Sequence, residues 1–68
     1  MKRPKIKPGA KVETTRGIPY ARGVMSMMLP VGTRAYVSEV KRDRCKITRL
    51  AEPPYGEWWV DASDIREI

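Results

Sequence analysis

Histidine is absent from this 68-residue chain, and cysteine occurs once, as Cys45. Without histidine, acid–base catalysis near neutral pH loses its usual side chain, and a zinc cluster loses half of its usual ligands. A single thiol cannot close an internal disulfide. Phenylalanine is missing too, which leaves Trp58, Trp59 and three tyrosines as the aromatic set. No apolar run approaches the roughly 20 residues of a membrane helix, and the polar start Met1-Lys2-Arg3-Pro4 is not that of a secretory signal. These absences point away from an enzyme, a metal site, a cofactor or a membrane. The expectation is a non-enzymatic cytoplasmic protein, and a lone thiol fits a reducing compartment.

Acid is scarce in one half of the chain. Residues 1–34 hold eight Lys/Arg against Glu13 alone, for +7, while residues 35–68 hold six against seven, for −1, giving the net +6. A localised basic surface attracts polyanions and binds nucleic acid without sequence preference. It also serves simply to keep a small protein soluble. With 41% hydrophobic and 32% charged residues the composition is that of a folded domain. The length allows one domain and a modest core, stabilised by packing alone or with oligomerisation.

Along the chain, residues 1–9 carry Lys2, Arg3, Lys5 and Lys7 between two prolines and read as a basic flexible arm. The folded unit is expected over residues 10–68. Pro8-Gly9 signals a turn, and Ala10 to Thr15 alternates as a first strand with Val12 inward. Between Arg16 and Pro30 the breakers Gly17, Pro19, Gly23 and Pro30 forbid a helix of more than two turns. A long irregular loop is expected there, with a short strand or helical turn near residues 23–29. Its apolar cluster, Val24, Met25, Met27, Met28 and Leu29, is expected to plug one end of the core, because thioether side chains adapt to irregular gaps. The functional alternative is an exposed Met-rich binding surface.

Leu29 to Thr33 is a turn, and Arg34 to Val40 a strand rich in β-formers. Lys41-Arg42-Asp43-Arg44 is a polar hairpin loop. Cys45 and Ile47 share one face of the returning strand, with Leu50 shifted off that face unless a bulge intervenes. Residues 52–57 form a longer loop, and Trp58-Trp59-Val60 a fourth strand. Asp61 to Ser63 and Asp64 suit one tight helical turn capped by Asp61, before an edge strand at residues 65–68.

Tyr20 in the first loop, the turn Leu29-Pro30-Val31-Gly32-Thr33 and the late Trp58-Trp59-Val60-Asp61-Ala62-Ser63 together resemble the bacterial type of SH3 domain. The resemblance spans roughly residues 10–68. It implies an all-β fold: a five-stranded SH3-like barrel with a long first loop and a single tight helical turn before the last strand. The peptide-binding SH3 domains stack tyrosines to receive a polyproline helix. This chain has Val12-Glu13-Thr14-Thr15 and Asp61-Ala62-Ser63-Asp64 where those tyrosines would stand, so that ligand is not implied.

Candidate chemistry is thin. Asp61 and Asp64 are explained as a cap and a solvated carboxylate. Alternation puts Arg44 and Lys46 on the face opposite Cys45, which makes the thiol a buried structural one. A symmetric oligomer that builds a site from repeated surfaces is the remaining route to catalysis, and no residue compels it. By period two, Trp58 shares the core face with Val60 while Trp59 points away. An exposed Trp59 beside Tyr55, with Tyr20 or Tyr36, would form a stacking platform; otherwise Trp59 covers the long loop.

The basic candidates are Lys2, Arg3, Lys5, Lys7 and Lys11, with Arg16 and Arg22 in the first loop and Lys41, Arg42 and Arg44 in the hairpin. Basic residues interleaved with aromatics are the ordinary footprint of single-strand or RNA contact. The leading expectation is therefore a binding module for a negatively charged partner, nucleic acid first or an acidic protein. Lys2, Arg3, Lys5, Lys7, Arg16, Arg22, Arg42 and Arg44 would hold it, with Trp59 and Tyr55 stacking. The alternative is a protein-interaction module, a subunit of a complex or a mobile-element accessory protein, docking through Trp59, Tyr20 and the methionine segment.

Overall fold

The computed structural model describes residues 6–68. Seven strands and one 3-10 turn make an all-β fold: β1 Lys11–Thr14, β2 Ile18–Arg22, β3 Met25–Leu29, β4 Arg34–Lys41, β5 Arg44–Arg49, β6 Gly56–Asp61, the turn Ala62–Asp64, and β7 Ile65–Glu67. Five of the strands form one antiparallel sheet in the order β6-β5-β4-β1-β7. The other two, β2 and β3, pair among the described residues only with each other.

The main sheet follows from alternation. Val12 of β1, Ala35 and Val37 of β4, Cys45 and Ile47 of β5, Val60 of β6 and Ile65 of β7 are all buried in one core. Leu29 and Ile18, paired at the base of the β2–β3 hairpin, close that core from the side. Ile6 joins it, and a turn closed by the Ala10 N–H donating to the Lys7 carbonyl at 3.1 Å is tied to β4 by the Gly9 N–H donating to the Val37 carbonyl at 2.7 Å. Lys2, Arg3 and Lys5 of the expected arm lie outside the described residues.

β4 is long enough to serve two neighbours. Residues 34–36 pair with β1, while the strand from Tyr36 onward pairs with β5. The register slips between Val37 and Glu39, which leaves Ser38 as an extra residue that bends the strand. The bulge therefore sits in β4. β5 itself ends at Arg49, and Leu50 is exposed beyond it.

Three expectations are corrected. The sheet is open: β7 has three residues and spends its ladder on β1, so among the described residues β6 and β7 remain edges and no closed barrel forms. The segment after β1 is a regular hairpin, which raises the strand count from five to seven. Gly23 takes φ +61 in a two-residue turn between Arg22 and Met25, a left-handed conformation that costs glycine little. Pro19 stands opposite Met28, at a pair that exchanges no backbone hydrogen bonds, so its missing N–H breaks nothing. Finally, Asp61 makes no side-chain capping bond to the 3-10 turn; the turn is held instead by the Ala62 N–H donating to the Asp43 carbonyl at 2.7 Å.

Two polar clusters lock the frame. The Thr14 hydroxyl donates to the Pro30 carbonyl at 2.9 Å and accepts the Thr33 N–H at 3.0 Å, which ties β1 to the turn before β4. Arg49 is the second. It has the same parity as Cys45 and Ile47 and is only 8% exposed. Its guanidinium donates to the carbonyls of Pro54 (3.0 Å), Pro53 (2.9 Å), Glu52 (3.4 Å) and Arg34. A planar fork with five donors can hold a loop in this way, whereas a lysine cannot.

Candidate functional site

The hairpin is the part of the molecule with fewest internal obligations. Its pairs run Ile18↔Leu29, Pro19↔Met28, Tyr20↔Met27, Ala21↔Ser26 and Arg22↔Met25. Ile18, Tyr20 and Arg22 therefore share one face with Leu29, Met27 and Met25. The first pair is buried. Tyr20 then meets Trp58 edge to face, with ring centroids 5.4 Å apart, and this contact carries the core outward to the middle of the hairpin. Toward the tip, the Arg22 guanidinium donates to the Tyr55 carbonyl at 3.3 Å and fastens the hairpin to the loop between β5 and β6.

Beyond those attachments the apolar side chains are in water. Val24 at the turn is fully exposed, and Met25 and Met28 are more than half exposed. The expected methionine plug is thus overturned; Leu29 alone of that cluster fills the core, because Met25 and Met27 lie farther out along the same face and Met28 lies on the other. The exposed Met-rich surface is the arrangement observed. Charge marks the same region. Between Glu13 and Glu39 the chain contains Arg16, Arg22 and Arg34 and no acidic residue.

The basic candidates do not gather into one free patch. Arg16, at the foot of the hairpin, lies 3.6 Å from Asp64. Arg22 is at the hairpin tip. Arg42 and Arg44 belong to the β4–β5 turn, where Arg42 takes φ +56 and Arg44 donates to the Trp59 carbonyl at 3.2 Å. Lys7 is exposed before the first strand, and Lys11 lies 5.8 Å from the Tyr36 ring centroid. On the outer face of the main sheet, Lys46 stands between Glu39 at 3.5 Å and Glu57 at 3.9 Å, and Arg66 pairs with Glu13. That face is charge-balanced.

The aromatic residues divide between two faces. Trp58 is inward against Tyr20, and Trp59 is outward, 39% exposed, with Lys46 5.8 Å from its ring centroid. Tyr36 shares the outer face with Trp59, whereas Tyr55 stands in the β5–β6 loop beside the hairpin tip. Tyr20 and Trp59 therefore do not form one platform. No local pattern signals the groove of about 400 Å³ between β1, β4 and the start of the β5–β6 loop, lined by Lys11, Arg34, Tyr36, Leu50 and Glu52. Its residues come from three separate segments, and only the folded chain brings them together.

Cys45 is buried, and burial raises its thiol pKa above the ordinary value. A neutral thiol is a poor nucleophile and metal ligand. Among the described residues no cluster of three or more His, Cys, Asp or Glu side chains could hold a metal ion. No helix among them is long and apolar enough to cross a membrane. No family model, curated protein or solved structure matches this chain.

Proposed function

We propose that this protein is a small non-enzymatic binding module on an SH3-like frame, docking a partner protein through the β2–β3 hairpin. The frame reading is supported by the strand order β6-β5-β4-β1-β7, the hairpin inserted between the first two strands of that sheet, and the 3-10 turn before the last strand. The docking reading rests on one observation: a hairpin anchored at its base and flank leaves Val24, Met25 and Met28 in water. Exposed apolar side chains clustered on one element mark interaction surfaces, and methionine suits them by adapting to a partner's shape.

The test is recovery of bound molecules from a cell extract by the unmodified protein and by two variants. One variant carries Val24→Ser, Met25→Ser and Met28→Ser; the other carries Lys7→Gln, Arg42→Gln and Arg44→Gln. Bound protein that is lost with the first variant, kept with the second and indifferent to nuclease fits the proposal. Capture unaffected by the serine variant refutes it.

The excess of cations in the first half of the chain favours a second reading, binding to nucleic acid. That reading requires nucleic acid in the recovered material, loss with the glutamine variant, and affinity falling linearly in log salt.

A further inference from the structure

We infer that the open edge of β3 accepts an extended, acidic segment of a partner protein as a third strand of the hairpin sheet. The inference rests on the docking reading above and specifies how the docking is made.

The geometry of the hairpin fixes which backbone groups are free. Residues that flank a two-residue turn exchange both of their backbone hydrogen bonds, and such pairs alternate with pairs that exchange none. Arg22↔Met25 flanks the turn, so Tyr20↔Met27 and Ile18↔Leu29 are also bonded pairs. Ala21↔Ser26 and Pro19↔Met28 are not. Ser26 and Met28 therefore turn their N–H and C=O groups away from β2, four main-chain groups on one edge. Among the described residues no other backbone group bonds to them.

The two edges of the hairpin differ. On the β2 side Pro19 has no N–H, and proline is a usual means of blocking an edge. On the β3 side, Met25-Ser26-Met27-Met28-Leu29 contains neither a proline nor a charge. An edge without proline, charge or bulge is a template for pairing. β6, an edge of the main sheet, carries Glu57 and Asp61 and lacks this character.

Charge selects the occupant. No acidic residue lies between Glu13 and Glu39, and Arg22 of β2 stands across from Met25 at the turn end of the hairpin. A second copy would bring another net charge of +6 against the first. An extended segment bearing Asp or Glu is attracted instead, its main chain on β3 and its alternate side chains against Met25, Met27 and Met28.

A random library of twelve-residue peptides displayed on phage, selected against the full chain, tests this. The selected peptides should be rich in Asp and Glu and in β-forming residues. Each should bind at least tenfold more weakly to Ser26→Pro and to Met28→Pro, and within twofold to Ala21→Pro at the opposite edge. Proline at these positions removes an outward N–H and no ladder bond, as Pro19 already does; Ser26→Pro leaves every methionine in place, and the near-ultraviolet signal of Trp58 against Tyr20 reports that the fold is kept. In the unmodified protein the same peptides should slow hydrogen exchange at the Ser26 and Met28 amides. Peptides indifferent to Ser26→Pro but lost with Met25→Ser and Met28→Ser overturn strand addition and leave docking standing. Lysine-rich binders overturn the acidic partner. Self-association by sedimentation that Ser26→Pro abolishes overturns it in favour of a second copy. No binders, or binders indifferent to every hairpin change, overturn both this inference and the docking reading.

Discussion

Replacing Arg49 with methionine isolates the buried clasp between β5 and the residue 50–55 loop. Its side chain is 8% exposed and donates to four main-chain carbonyls, those of Arg34, Glu52, Pro53 and Pro54. A hydrogen bond to a charged group contributes about 1.5–3 kcal/mol, but these share one guanidinium and do not add. Removing the arginine also removes the cost of burying its charge, and the loop carbonyls regain some water. The expected net loss is about 3 kcal/mol. For a domain of this size that is a drop in Tm on the order of 10–20 °C, and a large part of a total near 3–10 kcal/mol. Urea unfolding followed by tryptophan fluorescence measures it, with an unchanged slope showing that the two end states are the same. Arg49→Lys keeps the charge but loses the fork, and should cost about 2 kcal/mol. Glu52→Gln should cost under about 0.5 kcal/mol, because the Glu52 carboxylate is exposed and 3.9 Å away. Because the acceptors are neutral, 1 M salt should leave the Arg49 effect in place. A loss below about 1 kcal/mol for Arg49→Met, or a Glu52→Gln loss as large, would refute the clasp.

Other outcomes follow from the same packing. Thr14→Val keeps the shape but removes the hydroxyl's bond to the Pro30 carbonyl and leaves the Thr33 N–H only its longer bond to that carbonyl, at 3.3 Å, and should cost about 1–2 kcal/mol by denaturant titration. Trp58→Ala should cost about 2–4 kcal/mol, since Trp58 packs on the core and on Tyr20, whereas Trp59→Ala on the outer face should cost about 1 kcal/mol or less. A large loss for Trp59→Ala would mean that the face assignment is reversed. Cys45 should resist alkylation in the native state at neutral pH and react at the rate of unfolding. Its folded pKa is raised, so the neutral thiol's contribution is whole below the ordinary thiol pKa and falls away as pH rises through the folded value. Stability measured in alkali should therefore decline less for Cys45→Ala than for the parent chain.

Much of the frame is written locally. Alternation alone assigns Val12, Cys45, Ile47 and Val60 to one side, splits Trp58 from Trp59, and places a tight turn before the last strand, because side chains on a strand alternate with period two whatever the strand packs against. The same parity would have placed Arg49 with Cys45 and Ile47. Composition argues the other way, because an arginine reads as a surface residue, and its four carbonyl acceptors come from segments that only folding brings near.

The hairpin was hidden for a related reason. Gly17, Pro19, Gly23 and Pro30 look like breakers until their register is known, and in register Gly23 makes the turn while Pro19 falls on a pair that needs no donor. Local pattern is enough for an all-β chain, the faces of its strands, a buried thiol and a first half poor in acid. Only packing between distant segments leaves the sheet open, puts Met25, Met27 and Met28 in water and, among the described residues, leaves β3 with a free edge. Those are relations between segments distant along the chain, and exposure is fixed by what fails to pack there rather than by the residue itself.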